Sequence, residues 1–248
     1  MSGHSKWSQI KRQKGAADVK KGAVFTKLGK AISIAVRQGG GITDPTSNFK
    51  LRLATEKARE SNMPKENIER AIEKGAGQSG GADLEEAIYE AYGPGGAAII
   101  IESATDNKQR TAAEVKNVLD RGGGTLVAQG AISYLFKYVG LITVKKTLDF
   151  DTMIEKVLEA GGEDLEEDGN NFEIYTNAQD LHKVKESLEG KGFTIDNSEL
   201  IFKPVTIVTV DEEGTAKKLL DLLNNLESHE DIQKVFSNFD IPDTILTS

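Results

Sequence analysis

Three groups of residues in this chain have types and spacings that could do chemistry. Gly93-Pro-Gly-Gly-Ala-Ala98 has the spacing of a dinucleotide-binding turn. Such a turn aims the free N–H groups of a helix N-terminus at a pyrophosphate, so a strand must precede it and a helix must follow. Here Ile99-Ile100-Ile101 follow, which is strand sequence, and the reading is a turn between two strands. Asp164-Leu-Glu-Glu-Asp168-Gly169 imitates the first half of a calcium loop, yet the last position, which needs a bidentate carboxylate, falls on Tyr175. A solvated acidic turn is expected there. The third group is cationic. Lys6, Lys11, Arg12, Lys14, Lys20, Lys21, Lys27, Lys30 and Arg37 stand in the first 40 positions against Asp18 alone.

This third group stands out against the rest of the chain. The 248 residues carry a net charge of −8 with 39 acids against 31 Lys and Arg. Nine cations less one acid give the first 40 residues +8, so the remaining 208 carry −16. A basic head on an acidic body is suited to meeting phosphate at one end only. Other chemistry finds little material. There is no cysteine, which excludes disulfides, thiolate zinc sites, iron–sulfur clusters and a cysteine nucleophile. His4, His182 and His229 are scattered, and no Ser–His–Asp arrangement follows from the spacing. His182 falls on an amphipathic helix, where a surface position is expected. The reading is non-enzymatic, with no catalytic residue, no metal, no cofactor and no small-molecule substrate.

The elements that would position the cations are helical. Phe25, Leu28, Ile32 and Ala35 recur at helical spacing between Val19 and Gln38, and Gly39-Gly40-Gly41 ends the segment. At about 100° per residue, Lys20, Lys27, Lys30 and Arg37 share one face and the apolar residues the opposite one, with Lys21 as the exception. That cationic face is expected to be solvated. Trp7, the one tryptophan, either anchors the tail on the helices or stacks on a base. Further helices are expected over 47–60 and 64–74, with Pro64 at the first position of the latter, and the glycine-rich stretch Gly75–Gly81 reads as a linker.

Downstream, strand and helix alternate. Strands are expected at 97–103, 131–138, 205–210 and 232–236. Helices are expected at 111–121, opened by a Thr111–Glu114 capping box, and at 216–226. Residues 140–203 repeat the same order, so the class is α+β, with two ferredoxin-like βαββαβ units, the second inserted into the first. The expected division is a basic helical domain at 1–75, a linker at 76–83, a discontinuous domain at 84–139 plus 204–248, and the inserted domain at 140–203. No apolar run follows Met1 and none reaches the ~18 residues that span a bilayer, so a cytoplasmic protein with no membrane partner is expected.

Several stretches are distinctive: Ser2-Gly-His-Ser-Lys-Trp7, Asn62-Met-Pro-Lys65, Tyr92-Gly-Pro-Gly-Gly96, Thr105-Asp-Asn107, Arg110-Thr111 and Ser237-Asn-Phe-Asp-Ile-Pro-Asp243. In this order the chain closely resembles the YebC/PmpR family from Ser2 to about Asp243. The resemblance implies three domains, one all-helical and two α+β. It also implies a DNA-binding transcriptional regulator, or a ribosome-associated factor that binds ribosomal RNA and relieves stalling or activates translation. A third reading is a protein-interaction module with a basic head. Arg12-Gln13, Ala91 and Lys108-Gln109 depart from the family's usual residues without breaking a charge pattern. The expected nucleic-acid contacts are Lys6, Trp7, Lys11, Arg12, Lys14, Lys20, Lys27, Lys30 and Arg37, on a monomer.

Overall fold

Residues 21–78 and 84–246 are described by the computed structural model. Helix α1 (Lys21–Gln38) buries Leu28, Ile32, Ala35 and Val36 against Leu51 and Ala58 of α2 (Phe49–Glu60) and Ile68 and Ala71 of α3 (Lys65–Gly75). Gly40 and Gly41 follow α1 at φ +69° and +85°, a conformation only glycine adopts cheaply, and the helix stops. Asn48 then ties α2 to α1. Its Oδ1 accepts from the Leu51 N–H at 3.1 Å while its Nδ2 donates to the Ala35 carbonyl at 2.9 Å.

Gly75 differs from its expected role. It does not open a linker but closes α3, buried against α1, where a Cβ would lie 2.6 Å from the Ser33 carbonyl oxygen and 2.8 Å from the Val36 Cβ. Close approach of two helices, not chain freedom, requires glycine there. Gly75→Ala is therefore expected to cost about 1–3 kcal/mol in urea unfolding, as overpacking does. An unchanged midpoint would show that the helices separate freely. Of the expected linker, residues 79–83 lie outside the described residues.

The next unit is a four-stranded antiparallel sheet in the order β3-β1-β2-β9, formed by β1 (Glu85–Tyr92), β2 (Ala98–Thr105), β3 (Thr125–Val127) and β9 (Ile232–Ser237). One face carries α4 (Lys108–Arg121) and α7 (Glu213–Ser228), whose Val115, Leu119, Leu219 and Leu223 meet Ile99 and Ile101. Gly93–Gly96 is the turn between β1 and β2, as its sequence suggests, with Gly95 and Gly96 at φ +74° and +76°. The expected βαββαβ order is corrected for this unit. The chain enters through the hairpin β1–β2 before its first helix, because Glu85–Tyr92 pairs along its whole length with β2. Of the strand expected over 131–138, residues 133–135 form a 3₁₀ turn, and only 136–138 are strand, the start of a longer strand that belongs to the inserted unit. In 205–210 only β8 (Val208–Thr209) is strand, parallel to β10 (Phe239–Asp240).

The inserted unit runs through β4 (Phe136–Lys145), α5 (Phe150–Ala160), β5 (Asp164–Asp168), β6 (Asn171–Asn177), α6 (Leu181–Gly190) and β7 (Ile195–Pro204). Its antiparallel sheet has the order β5-β6-β4-β7, the split-βαβ arrangement. The expected boundary at 139/140 falls inside β4, whose pairing with β7 runs in one register from Phe136 to Thr143, so the unit starts about four residues earlier. Asp164–Asp168 is an edge strand, not a loose acidic turn, since Leu165 and Asp168 are buried. Period-two alternation builds two cores from each sheet. Ile142, Val144, Phe172 and Ile174 face α5 and α6, whereas Val139, Leu141, Tyr175 and Ile201 face Ala98, Ile100 and Phe236 of the first sheet. The layers are helices, sheet, sheet, helices, and the class is α+β.

Candidate nucleic-acid interface

Of the nine expected contact residues, Lys6, Trp7, Lys11, Arg12, Lys14 and Lys20 lie outside the described residues, as does His4. Lys27, Lys30 and Arg37 are described, and the expectation that their face of α1 is solvated is corrected. Lys27 Nζ donates to the carbonyl of Glu227 at the end of α7, and Arg37 donates to the carbonyl of Leu84 at 3.2 Å. Lys30 Nζ meets Asp231 Oδ1 at 2.5 Å and the Glu230 carbonyl at 3.3 Å. The periodicity correctly separated a polar from an apolar face of α1. It could not show that a second surface, itself acidic, covers the polar one.

Asp231, at the entry to β9, is the centre of that contact, and its side chain is only 6% exposed. Its Oδ2 accepts from Arg110 at 2.8 Å, from the Thr111 hydroxyl at 2.7 Å and from the Thr105 hydroxyl at 3.3 Å. Burial alone would raise this carboxyl, but hydrogen bonds from Lys30, Thr111 and Arg110, and the Lys30 charge, outweigh burial and hold it well below the usual carboxylate range. The Thr105-Asp-Asn107 and Arg110-Thr111 motifs thus receive a structural role. Asn107 is the N-cap of α4, its Oδ1 accepting from the Arg110 N–H at 3.0 Å. The expected capping box at Thr111 is corrected accordingly. The helix begins three residues earlier, and Thr111 is fully buried with its hydroxyl directed at Asp231.

His229 extends the network. Its Nδ1 accepts from the Asp231 N–H at 3.1 Å, so Nε2 carries the proton and donates to Glu114 at 2.9 Å. Ligand atoms of Glu114, His229 and Asp231 fall within 4.8 Å of one another, the spacing of a metal site. Both ring nitrogens are nevertheless committed to hydrogen bonds and Asp231 already faces two cations, so the arrangement is a hydrogen-bonded chain that needs no ion. His182 is likewise a contact residue and not a surface one. Its ring packs at a tilt against Phe49 of α2 with centroids 5.1 Å apart and accepts from Arg52. Beside it, Lys185 pairs with Glu56 at 2.9 Å. The helical unit is therefore docked twice, by α1 on the first sheet's unit and by α2 on the inserted one.

A third junction surrounds Glu102 of β2. Burial raises this carboxyl despite the charge of Lys234, and Lys234 itself bonds Glu199 at 2.7 Å and the Leu200 carbonyl at 2.8 Å. Asn238 closes the arrangement below it. Its Oδ1 accepts from the Ala98 N–H at 2.7 Å and its Nδ2 donates to the Thr206 carbonyl at 2.9 Å. The Ser237–Asp243 motif is thereby a structural joint between the strands. Sequence reading missed Asp231 and Glu102. Each is an ordinary acid in its own neighbourhood, and only the fold brings its partners from distant segments.

These geometries sit within a family that the comparisons define. Residues 5–78 match the TACO1/YebC N-terminal domain, and residues 84–239 match the TACO1/YebC second and third domain. A relative from Sulfurihydrogenibium, named a "probable transcriptional regulatory protein", is 48% identical, covering 99% of this chain and 98% of its own. One of the same name from Dictyoglomus thermophilum is 48% identical over 100% of this chain and 99% of its own. The crystal structure of a conserved hypothetical protein from Aquifex aeolicus superposes with a TM-score of 0.82 at 43% identity, covering 91% of this chain and 92% of that one. With both family matches falling on the units described above, the chain belongs to the TACO1/YebC family.

Proposed function

We propose that this protein is a non-enzymatic regulator that binds nucleic acid through its basic N-terminal segment, the first reading being a DNA-binding transcriptional regulator. The charge partition carries the proposal: +8 in residues 1–40 against −16 in the rest. Lys27, Lys30 and Arg37 are engaged with the body, so the phosphate contacts fall to Lys6, Lys11, Arg12, Lys14 and Lys20, with Trp7 as the stacking residue. The helix that follows this segment is itself held to the body through Lys30 and Asp231. The names borne by the relatives support a regulatory role. No helix among the described residues is long and apolar enough to cross a membrane.

A specific observation favours a second reading, a ribosome-associated translation factor. The pair α2–α3 is joined by the short turn 61–64, and a helix-turn-helix reader would have to offer α3 to the groove. Its exposed positions are Lys65, Glu66, Glu69, Arg70, Glu73 and Lys74, three acids among three bases. Glutamates facing phosphate oppose insertion into a groove, whereas backbone contacts suffice on one abundant, shaped RNA surface. The test is binding to a proposed promoter and to scrambled duplex at physiological salt, together with sedimentation on ribosome gradients. Preference below about tenfold with ribosome co-sedimentation is expected under the translation reading. A preference approaching ~10³-fold, with a defined footprint, establishes transcriptional control instead.

A further inference from the structure

The inserted unit contains a cavity of about 380 Å³ that no role above uses. It lies where the end of β4, the loop before α5, and the α6–β7 loop converge. Lys145, Lys156 and Lys191 line it, with the hydroxyl residues Thr147 and Thr194, and Val144, Leu148 and Phe193 supply apolar wall. No carboxylate lines it, in a chain where acids outnumber Lys and Arg by 39 to 31. One acid, Glu159, pairs with a lining lysine. It bonds Lys191 at 2.7 Å, is also felt by Lys156, and is itself 64% exposed, so it can give way to a stronger anion. The exposed Lys145 makes no ion pair among the described residues.

Three lysines lining one cavity against a single, exposed carboxylate at its edge favour an anion, and lysine is a point-charge phosphate binder. The volume is far more than a bare phosphate needs and falls within the ~300–1,000 Å³ usual for organic ligands. An apolar wall with an aromatic ring suits a flat, uncharged partner such as a base. We propose that this cavity binds a nucleoside monophosphate unit, its phosphate held by Lys145, Lys156 and Lys191 and its base set against the wall that includes Phe193. The unit is either a free mononucleotide or one nucleotide of a single strand. The site shares no residue with the basic N-terminal segment, and its existence does not depend on what that segment binds.

The test titrates the full-length protein with AMP, adenosine, inorganic phosphate and a short single-stranded oligoadenylate. Calorimetry gives affinity, and backbone amide shifts give the location. AMP is expected to bind more tightly than either adenosine or phosphate alone, shifting amides at 145–148 and 191–194. Lys145→Gln/Lys156→Gln/Lys191→Gln is expected to weaken AMP at least ~tenfold through lost charge-assisted contacts, whereas Lys217→Gln/Lys218→Gln on α7 leaves it unchanged. Oligoadenylate that binds more tightly than AMP and is weakened by the same pocket variant identifies a strand as the source. Equal affinities identify the free nucleotide. Shifts confined to other segments, no binding at millimolar AMP, or equal binding of AMP and inorganic phosphate overturn the assignment, and the shifts read the site even if the variant folds poorly.

Discussion

Asp231→Ala is expected to lower stability by about 3 kcal/mol, the lower end of what losing one member of a buried ion pair costs. The lower end applies because the partners are not wholly dry: the Lys30 side chain is 18% exposed and that of Arg110 46%. For a chain of this size the loss corresponds to a melting point lower by roughly 6–12 °C. Asp231→Asn should lose less, since the amide oxygen still accepts from Thr111. Adding Lys30→Met to Asp231→Ala should recover part of the loss, because the stranded ammonium is removed. The pH dependence follows from the depressed carboxyl. A group whose native pKa lies below its unfolded value of about 3.9 stabilises fully above that value, and its contribution disappears as pH falls toward the native pKa. The wild type should thus lose stability below about pH 4 more steeply than Asp231→Asn. Variants that melt with the parent, over an unchanged acid limb, would mean that the network only decorates the contact.

The second large effect concerns affinity. Replacing Lys6, Lys11, Arg12, Lys14 and Lys20 together by Gln is expected to reduce the salt slope of duplex binding by up to ~4.5 log–log units, about 0.9 per lost phosphate contact. On single-stranded nucleic acid the corresponding figure is about 0.7 per contact. The companion variant Lys27→Gln/Lys30→Gln/Arg37→Gln separates the two roles of the basic head. Its side chains hold α1 to the body, so it should melt earlier while retaining most of the salt slope. The reverse result, an intact melt and a flattened slope, would return those three residues to the interface. A slope unchanged in both variants would remove nucleic acid from the proposal altogether.

Much of this molecule was legible in the residues, and the exceptions share one cause. Local signals placed α1, α2 and α3 to within about two residues, because amphipathic spacing, Asn48 and paired glycines act over a few positions. The inserted unit was readable for the same reason, each of its strands and helices carrying its own period. The first sheet's unit was less so. β1 reads Glu-Glu-Ala-Ile-Tyr-Glu-Ala-Tyr, a run with three glutamates, and becomes a strand only because β2 pairs beside it and Glu90 accepts the N–H groups of Gly130 and Ile132, each at 2.7 Å. Thr111 looked like a cap because the cap pattern is local, while the Asp231 that claims its hydroxyl is 120 residues away.

The sequence by itself determined the charge division, the α+β class, the nested order of the two sheet units and the family. Each of these follows from composition, short-range period or motif order. Tertiary structure alone decided what the cations of α1 face, which acids are buried, and that three lysines share one cavity. Those outcomes depend on Coulombic and hydrogen-bonding partners supplied across gaps of tens to hundreds of residues. A side chain's own neighbours in sequence cannot report whether water or a carboxylate will stand opposite it, and the packing of one unit on another settles which.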